Sequence, residues 1–146
     1  MDELKQLLKI SLANSFAFYL KAQFYHWNVV GENFPQYHSF LGDLYEEVYG
    51  SVDNIAELIR TINEVAPGSL GRYKELSQVQ DAESVPSTVI MFNALYNDNQ
   101  TVKSSLIKAY EKAEELKQYG ISNYLQDRIQ AHEKHAWMIR SITAGA

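Results

Sequence analysis

Apolar residues recur every three or four positions along four long stretches of this chain, and Pro35, Pro67 and Pro86 fall at the edges of those stretches rather than in their middles. That pattern predicts an all-α protein. The first stretch, from about Asp2 to Asn28, carries Leu4, Leu8, Leu12, Phe16, Tyr19 and Ala22 on one face. After Val29-Val30-Gly31-Glu32, Asn33 is placed to cap a second helix that tolerates Pro35 in its first turn. This helix repeats Tyr37, Leu41, Leu44, Val48, Val52, Ile55, Ile59 and Ile62 and is expected to end near Glu64. Residues 65–83 form a crossover with a short possible helix, Leu70 to Leu76. A third long helix follows from about Val85 to Gln118, with Phe92, Leu95, Val102, Leu106, Tyr110 and Ala113 inward. Gly120 then separates it from a fourth, Ile121 to about Thr143. Two short links and one long one describe a ferritin-like four-helix bundle, not an up-and-down one.

The chain has 146 residues, which a single domain spanning 1–146 accounts for. There are no cysteines, so disulfides, thiolate metal sites and thiol nucleophiles are excluded. Thirteen basic against eighteen acidic residues give a charge of −5, which opposes attraction to a phosphate backbone. No apolar run approaches the ~20 residues of a membrane span, and Met1-Asp2-Glu3-Leu4-Lys5 resembles neither a signal nor a transit peptide, so cytoplasmic residence is the expectation.

Bundles that hold a metal pair within one subunit place Glu-x-x-His on each of two helices, because residues three apart share a face. No Glu here is followed three residues later by His. His26 closes the first helix and His38 opens the second, each six residues from the middle of the link near residue 32. In an antiparallel hairpin they reach the same height. Two such imidazoles suit iron or zinc, and the spacing equally allows two hydrogen-bonded histidines at a helix junction. Asp53 and Glu57 sit at i and i+4 on the second helix, either as oxygen ligands or as solvated acids. Fifteen residues separate His38 from Asp53, roughly 22 Å of helix, yet the two differ by only about 60° around the axis. Two copies of this helix packed antiparallel about a two-fold axis would bring His38 of one beside Asp53 and Glu57 of the other.

The run Tyr25-His26-Trp27-Asn28-Val29, with Gly31, Asn33-Phe34, His38, Leu44-Tyr45 and Val52-Asp53-Asn54-Ile55-Ala56-Glu57, resembles the Dps-like mini-ferritins, the DNA-protection proteins of starved cells. Tyr73, Leu76-Ser77 and Glu133-Lys134-His135-Ala136-Trp137-Met138 are similar to that family as well, so the likeness covers nearly the whole chain. It implies a homo-oligomeric, hollow dodecamer that oxidises iron at two-fold interfaces, with hydrogen peroxide as the expected oxidant, and stores ferric mineral inside. His26 and His38 match the family's histidine ligands, and Asp53 and Glu57 the carboxylates given by the symmetry mate. Trp27 and Tyr45 match aromatics that intercept radical by-products, or else simply pack. Asp127 falls where the family lines its three-fold pores with acids, and is otherwise a solvated helix acid.

The chain departs from the family at Gly42, where an aspartate is usual one turn after the second histidine. A glycine supplies no ligand and, costly inside a helix, fits a place of close helix packing; Asp43 points away, and Glu46 is the nearest replacement, so the expected result is one strong and one weak iron position. The rivals to iron storage are a DNA-compacting protein and a cage whose metal centre has decayed. DNA binding is disfavoured, since the first helix begins almost at Met1 and the end of the chain, Ser141 to Ala146, is uncharged. His132 and His135 are expected to be structural.

Overall fold

The computed structural model describes residues 1–144, and among these it is all-helical: α1 (Asp2–Asn28), α2 (Phe34–Thr61), α3 (Leu70–Leu76), α4 (Thr88–Glu115) and α5 (Tyr119–Thr143). Four long helices and a short one in the crossover match the expected ferritin-like arrangement. The chain direction follows from contacts at the two ends of the bundle. Lys9 near the start of α1 meets Glu64 just beyond α2 at 3.2 Å, and Lys112 near the end of α4 meets Glu3 at 3.0 Å. At the far end the Thr88 hydroxyl donates to the Val30 carbonyl at 3.4 Å. So α4 starts beside the start of α2, and the crossover returns along the whole bundle to make these two helices parallel.

Helix ends differ from expectation where the backbone closes its own hydrogen bonds. α2 stops at Thr61, because Asn63 turns left-handed (φ 61°) and lets the Glu64 N–H reach back to the Ile59 carbonyl at 3.3 Å. α4 ends at Glu115 in the same manner, with Lys117 at φ 58° and the Gln118 N–H on Ala113 at 2.8 Å. That closure starts α5 at Tyr119, so Gly120 lies in its first turn and separates nothing. α4 begins only at Thr88, after Pro86 has kept Val85 from helical geometry. Gly145 and Ala146, part of the uncharged end noted above, lie outside the described residues.

The core runs along α1, which packs against α2, α4 and the crossover and is therefore buried on more than one face. Ser11, Leu12, Ala13, Asn14 and Ser15 are all fully enclosed. Phe18 is fully buried, whereas Phe16 and Tyr19, expected inward, are half-buried. Phe16 stacks on Tyr73 of α3 (ring centroids 4.7 Å) and Tyr19 lies against Tyr45 and Tyr49 of α2. Tyr110 is likewise only half-buried. The crossover is held to the bundle by polar ties. Asn14 donates to Gln78 and accepts from its backbone N–H, while Lys21 pairs with Asp98 at 2.8 Å and donates to the Gln80 carbonyl at 3.0 Å. Burial pushes the Asp98 carboxyl up, with Lys21 pulling against it. No described helix is long and apolar enough to cross a membrane.

Candidate metal centre

His26 and His38 meet at the α1–α2 corner, where Gly31 takes φ 120°, a value that favours glycine, and tightens the turn. The two rings stack with centroids 3.8 Å apart and planes 13° apart, and Phe34 stacks on the outer face of His38 at 4.9 Å. Each histidine is held by the other's backbone. His26 Nδ1 donates to the His38 carbonyl at 2.7 Å and His38 Nδ1 donates to the His26 carbonyl at 2.8 Å. A carbonyl can only accept, so both protons sit on Nδ1 and both Nε2 atoms carry a free lone pair. Histidines that bind metals are usually oriented by such a bond from their second nitrogen. The hydrogen-bonded reading of the spacing holds, and the bonds are made through Nδ1, leaving Nε2 of each ring unengaged by them.

Gly42 explains how the rings come so close to α2. A Cβ at this position would lie 3.0 Å from His26 Cε1 and 3.3 Å from its Nδ1. The missing side chain makes room for the imidazole on the helix backbone. Gly42→Ala should favour the helix by up to ~1 kcal/mol on propensity alone. It is nevertheless expected to weaken anaerobic Fe(II) binding by about 10-fold, because the His26 ring has to give by a few tenths of an ångström and its hydrogen bond to His38 is strained. Calorimetric titration of both proteins tests this, and equal affinities would show that the contact is irrelevant to binding.

Asp53 and Glu57 are exposed near the other end of α2. A hydrogen bond shared with Asp53 and repulsion from its charge raise the Glu57 pKa. Among the described residues, no three His, Asp or Glu side chains are grouped to hold a metal ion. Asp43 and Glu46 are exposed, Trp27 is 63% exposed beside His26, and Tyr45 lies 5.2 Å from the His26 ring. Asp127 is exposed in a shallow groove between α4 and α5, with Glu111 and Glu133.

Sequence reasoning missed a second polar cluster, between α2 and α5. Arg128 of α5 donates through both terminal nitrogens to Glu47 of α2, with Nη2 to Oε1 at 3.0 Å, and His135 Nε2 donates to the same Oε1 at 2.6 Å. His132, fully buried, donates from Nδ1 to Asn99 Oδ1 at 2.8 Å and accepts from Arg128 Nη2 at 3.0 Å. The i, i+4, i+7 spacing of Arg128, His132 and His135 was the available signal, since it puts all three on the buried stripe of Leu125 and Ile139. Burial, helped by the Arg128 charge, pushes the His132 pKa well down and keeps the ring neutral. On unfolding, His132 regains its ordinary value near 6.5. Its contribution to stability is therefore present above pH 6.5 and falls at lower pH by about 1.4 kcal/mol per unit per chain. Melting temperature measured from pH 7 to 5.5 should fall more steeply for the wild type than for His132→Gln; parallel curves would refute this assignment.

Residues 5–145 match the ferritin-like domain family. The chain is 31% identical, over 92% of its length and 91% of the relative's, to the DNA protection during starvation protein of Brevibacillus brevis. The chain belongs to the Dps-like mini-ferritins. It is also 31% identical to an uncharacterised low temperature-induced protein of Nostoc sp., over 99% of this chain and 84% of that one. A crystal structure of the Dps protein from Vibrio cholerae, described as a member of a broad superfamily of ferritin-like diiron-carboxylate proteins, superposes with a TM-score of 0.91. It shares 25% identity over 96% of this chain and 88% of the other.

Proposed function

We propose that this mini-ferritin is a ferroxidase that oxidises Fe(II), with hydrogen peroxide as oxidant, at sites shared between two copies, and stores the ferric product inside a closed cytoplasmic dodecamer. The observation that carries this reading is the pair of imidazoles with Nδ1 engaged and Nε2 outward, beside the α2 face that also bears Asp53 and Glu57, roughly 22 and 28 Å further along the helix. One chain cannot close that distance, and an antiparallel two-fold pairing of α2 closes it for both copies. The site would then combine His26 and His38 of one copy with Asp53 and Glu57 of the other, a donor set of nitrogen and carboxylate oxygen suited to iron. The single domain spans the chain.

The exposed apolar face supports assembly. Leu20, Trp27 and Leu70 are 41%, 63% and 75% exposed and border a groove between α1 and the crossover, a patch that a second copy would cover. Iron is the substrate here. Two Fe(II) give one electron each to the peroxide, whose O–O bond breaks to leave two hydroxide-level oxygens for the mineral. Because Gly42 offers no carboxylate, one iron is held by Glu57 and a histidine of the partner copy, and the second position is weak and depends on Glu46 or water. Gly42→Asp adds a carboxylate one turn after His38, with its Cβ 3.0 Å from His26 Cε1, so the ring has to give by a few tenths of an ångström.

Sedimentation velocity paired with anaerobic Fe(II) loading and peroxide addition tests the proposal. The expected result is a dodecamer that consumes one peroxide for two Fe(II). A stable monomer with full iron activity would overturn the shared site.

A further inference from the structure

Between α2 and α5, three side chains of metal-ligating type, Glu47, His132 and His135, surround an arginine, and with that arginine in place they are not grouped to hold a metal ion. Arg128 Nη2 is 3.0 Å from the Glu47 carboxylate and 3.0 Å from the His132 Nε2 lone pair. His135 Nε2 reaches the same carboxylate at 2.6 Å. The lone pair on His132 is aimed at the guanidinium, because Asn99 Oδ1 accepts from the ring Nδ1, and the amide is itself oriented by Nδ2 donating to the His132 carbonyl, both at 2.8 Å. Two imidazoles and one glutamate form the protein ligand set of a common class of zinc site, with a fourth position for water. A search for Glu-x-x-His does not find it, since the histidines lie three apart on α5 and the acid comes from α2. The Arg128 side chain is only 6% exposed, and its Nε has no acceptor.

We propose that Arg128 is the bundle's resident cation: it takes the place of a divalent metal between Glu47, His132 and His135, and so keeps iron out of the subunit interior. The guanidinium is permanently charged and meets the carboxylate with a matched two-pronged geometry, so an entering ion would have to displace a buried positive charge that cannot be discharged by losing a proton. Burial would push the Glu47 carboxyl up, but hydrogen bonds from His135 and Arg128, with the Arg128 charge, hold it well below the usual carboxylate range. It stays an anion that a cation must match. Arg128 thereby determines where metal is bound, and this holds whether or not the shared α2 site is correctly assigned.

The test compares Co(II) binding by the full-length wild type, Arg128→Ala and Arg128→Gln at neutral pH. Arg128→Ala should take up one Co(II) per chain more than the wild type, with the visible absorption of a four-coordinate nitrogen and oxygen site, and should melt at a higher temperature when loaded. Adding His132→Ala should abolish the extra ion. Arg128→Gln keeps much of the side-chain volume without the charge, and should bind the extra Co(II) more weakly than Arg128→Ala but measurably above the wild type. The proposal is overturned if both variants fold and bind no more Co(II) than the wild type, or if the extra ion survives His132→Ala. It is equally overturned if both variants stay unfolded with Co(II) present, because a metal that fits the guanidinium's place must restore what the guanidinium held.

Discussion

Glu57→Gln is expected to slow fast Fe(II) oxidation by at least ~10-fold while leaving the assembled particle intact, and His26→Ala should do the same. The glutamine keeps the volume of the side chain and removes the anionic oxygen that would face the metal. Glu57 is exposed within the single chain, so the fold loses no buried contact. The Glu57 pKa is raised by a hydrogen bond shared with Asp53 and by the charge of that neighbour. His26→Ala removes one free Nε2 and also the Nδ1 donor that orients the paired backbone. Stopped-flow oxidation with peroxide, run beside sedimentation, separates a chemical defect from a failure to assemble. Wild-type rates in both variants would place the ferroxidase chemistry elsewhere.

Glu47→Gln should lower the stability of each chain by about 2 kcal/mol, a melting-temperature fall of roughly 5 °C. Breaking a buried ion pair by removing one partner costs more than the pair contributes, because the other charge is left enclosed. Here the enclosed charge is Arg128, 6% exposed, and the figure sits at the low side because the Glu47 side chain is 41% exposed and partly screened. The loss should be felt between α2 and α5, which touch little outside this clasp. Thermal unfolding of the two proteins at pH 7 decides it. An unchanged transition would mean that water satisfies Arg128 and that the clasp contributes little.

Local information determined most of the helical architecture. The three-and-four spacing of apolar residues located the four long helices, and the distance between Ile62 and Phe92 required a long crossover; that Ser69 caps the short helix, accepting from the Arg72 N–H at 3.1 Å, is visible only in the structure. Spacing and crossover length depend on neighbours along the chain, and the sequence displays neighbours directly. The same kind of spacing put His26 and His38 at one height and Asp53 and Glu57 on one face. Helix ends were less legible, since Asn63 and Lys117 took left-handed geometry to close carbonyls that no composition rule singles out.

Only the tertiary structure decided what those residues can do. Whether two histidines twelve positions apart stack, exchange backbone hydrogen bonds and keep both Nε2 atoms free depends on how tightly two helices pack, and that in turn on the absent Cβ of Gly42. The sequence marked that glycine as a missing ligand; packing shows it to be the space His26 occupies. Glu47 and Arg128 are 81 residues apart and carry no shared motif, so their pairing was visible only once α2 and α5 lay side by side. Periodicity records which way a side chain points from its own helix. Which group it meets there is a property of the packed bundle, because contact across helices depends on register, tilt and the space left by neighbouring side chains, none of which is a local quantity.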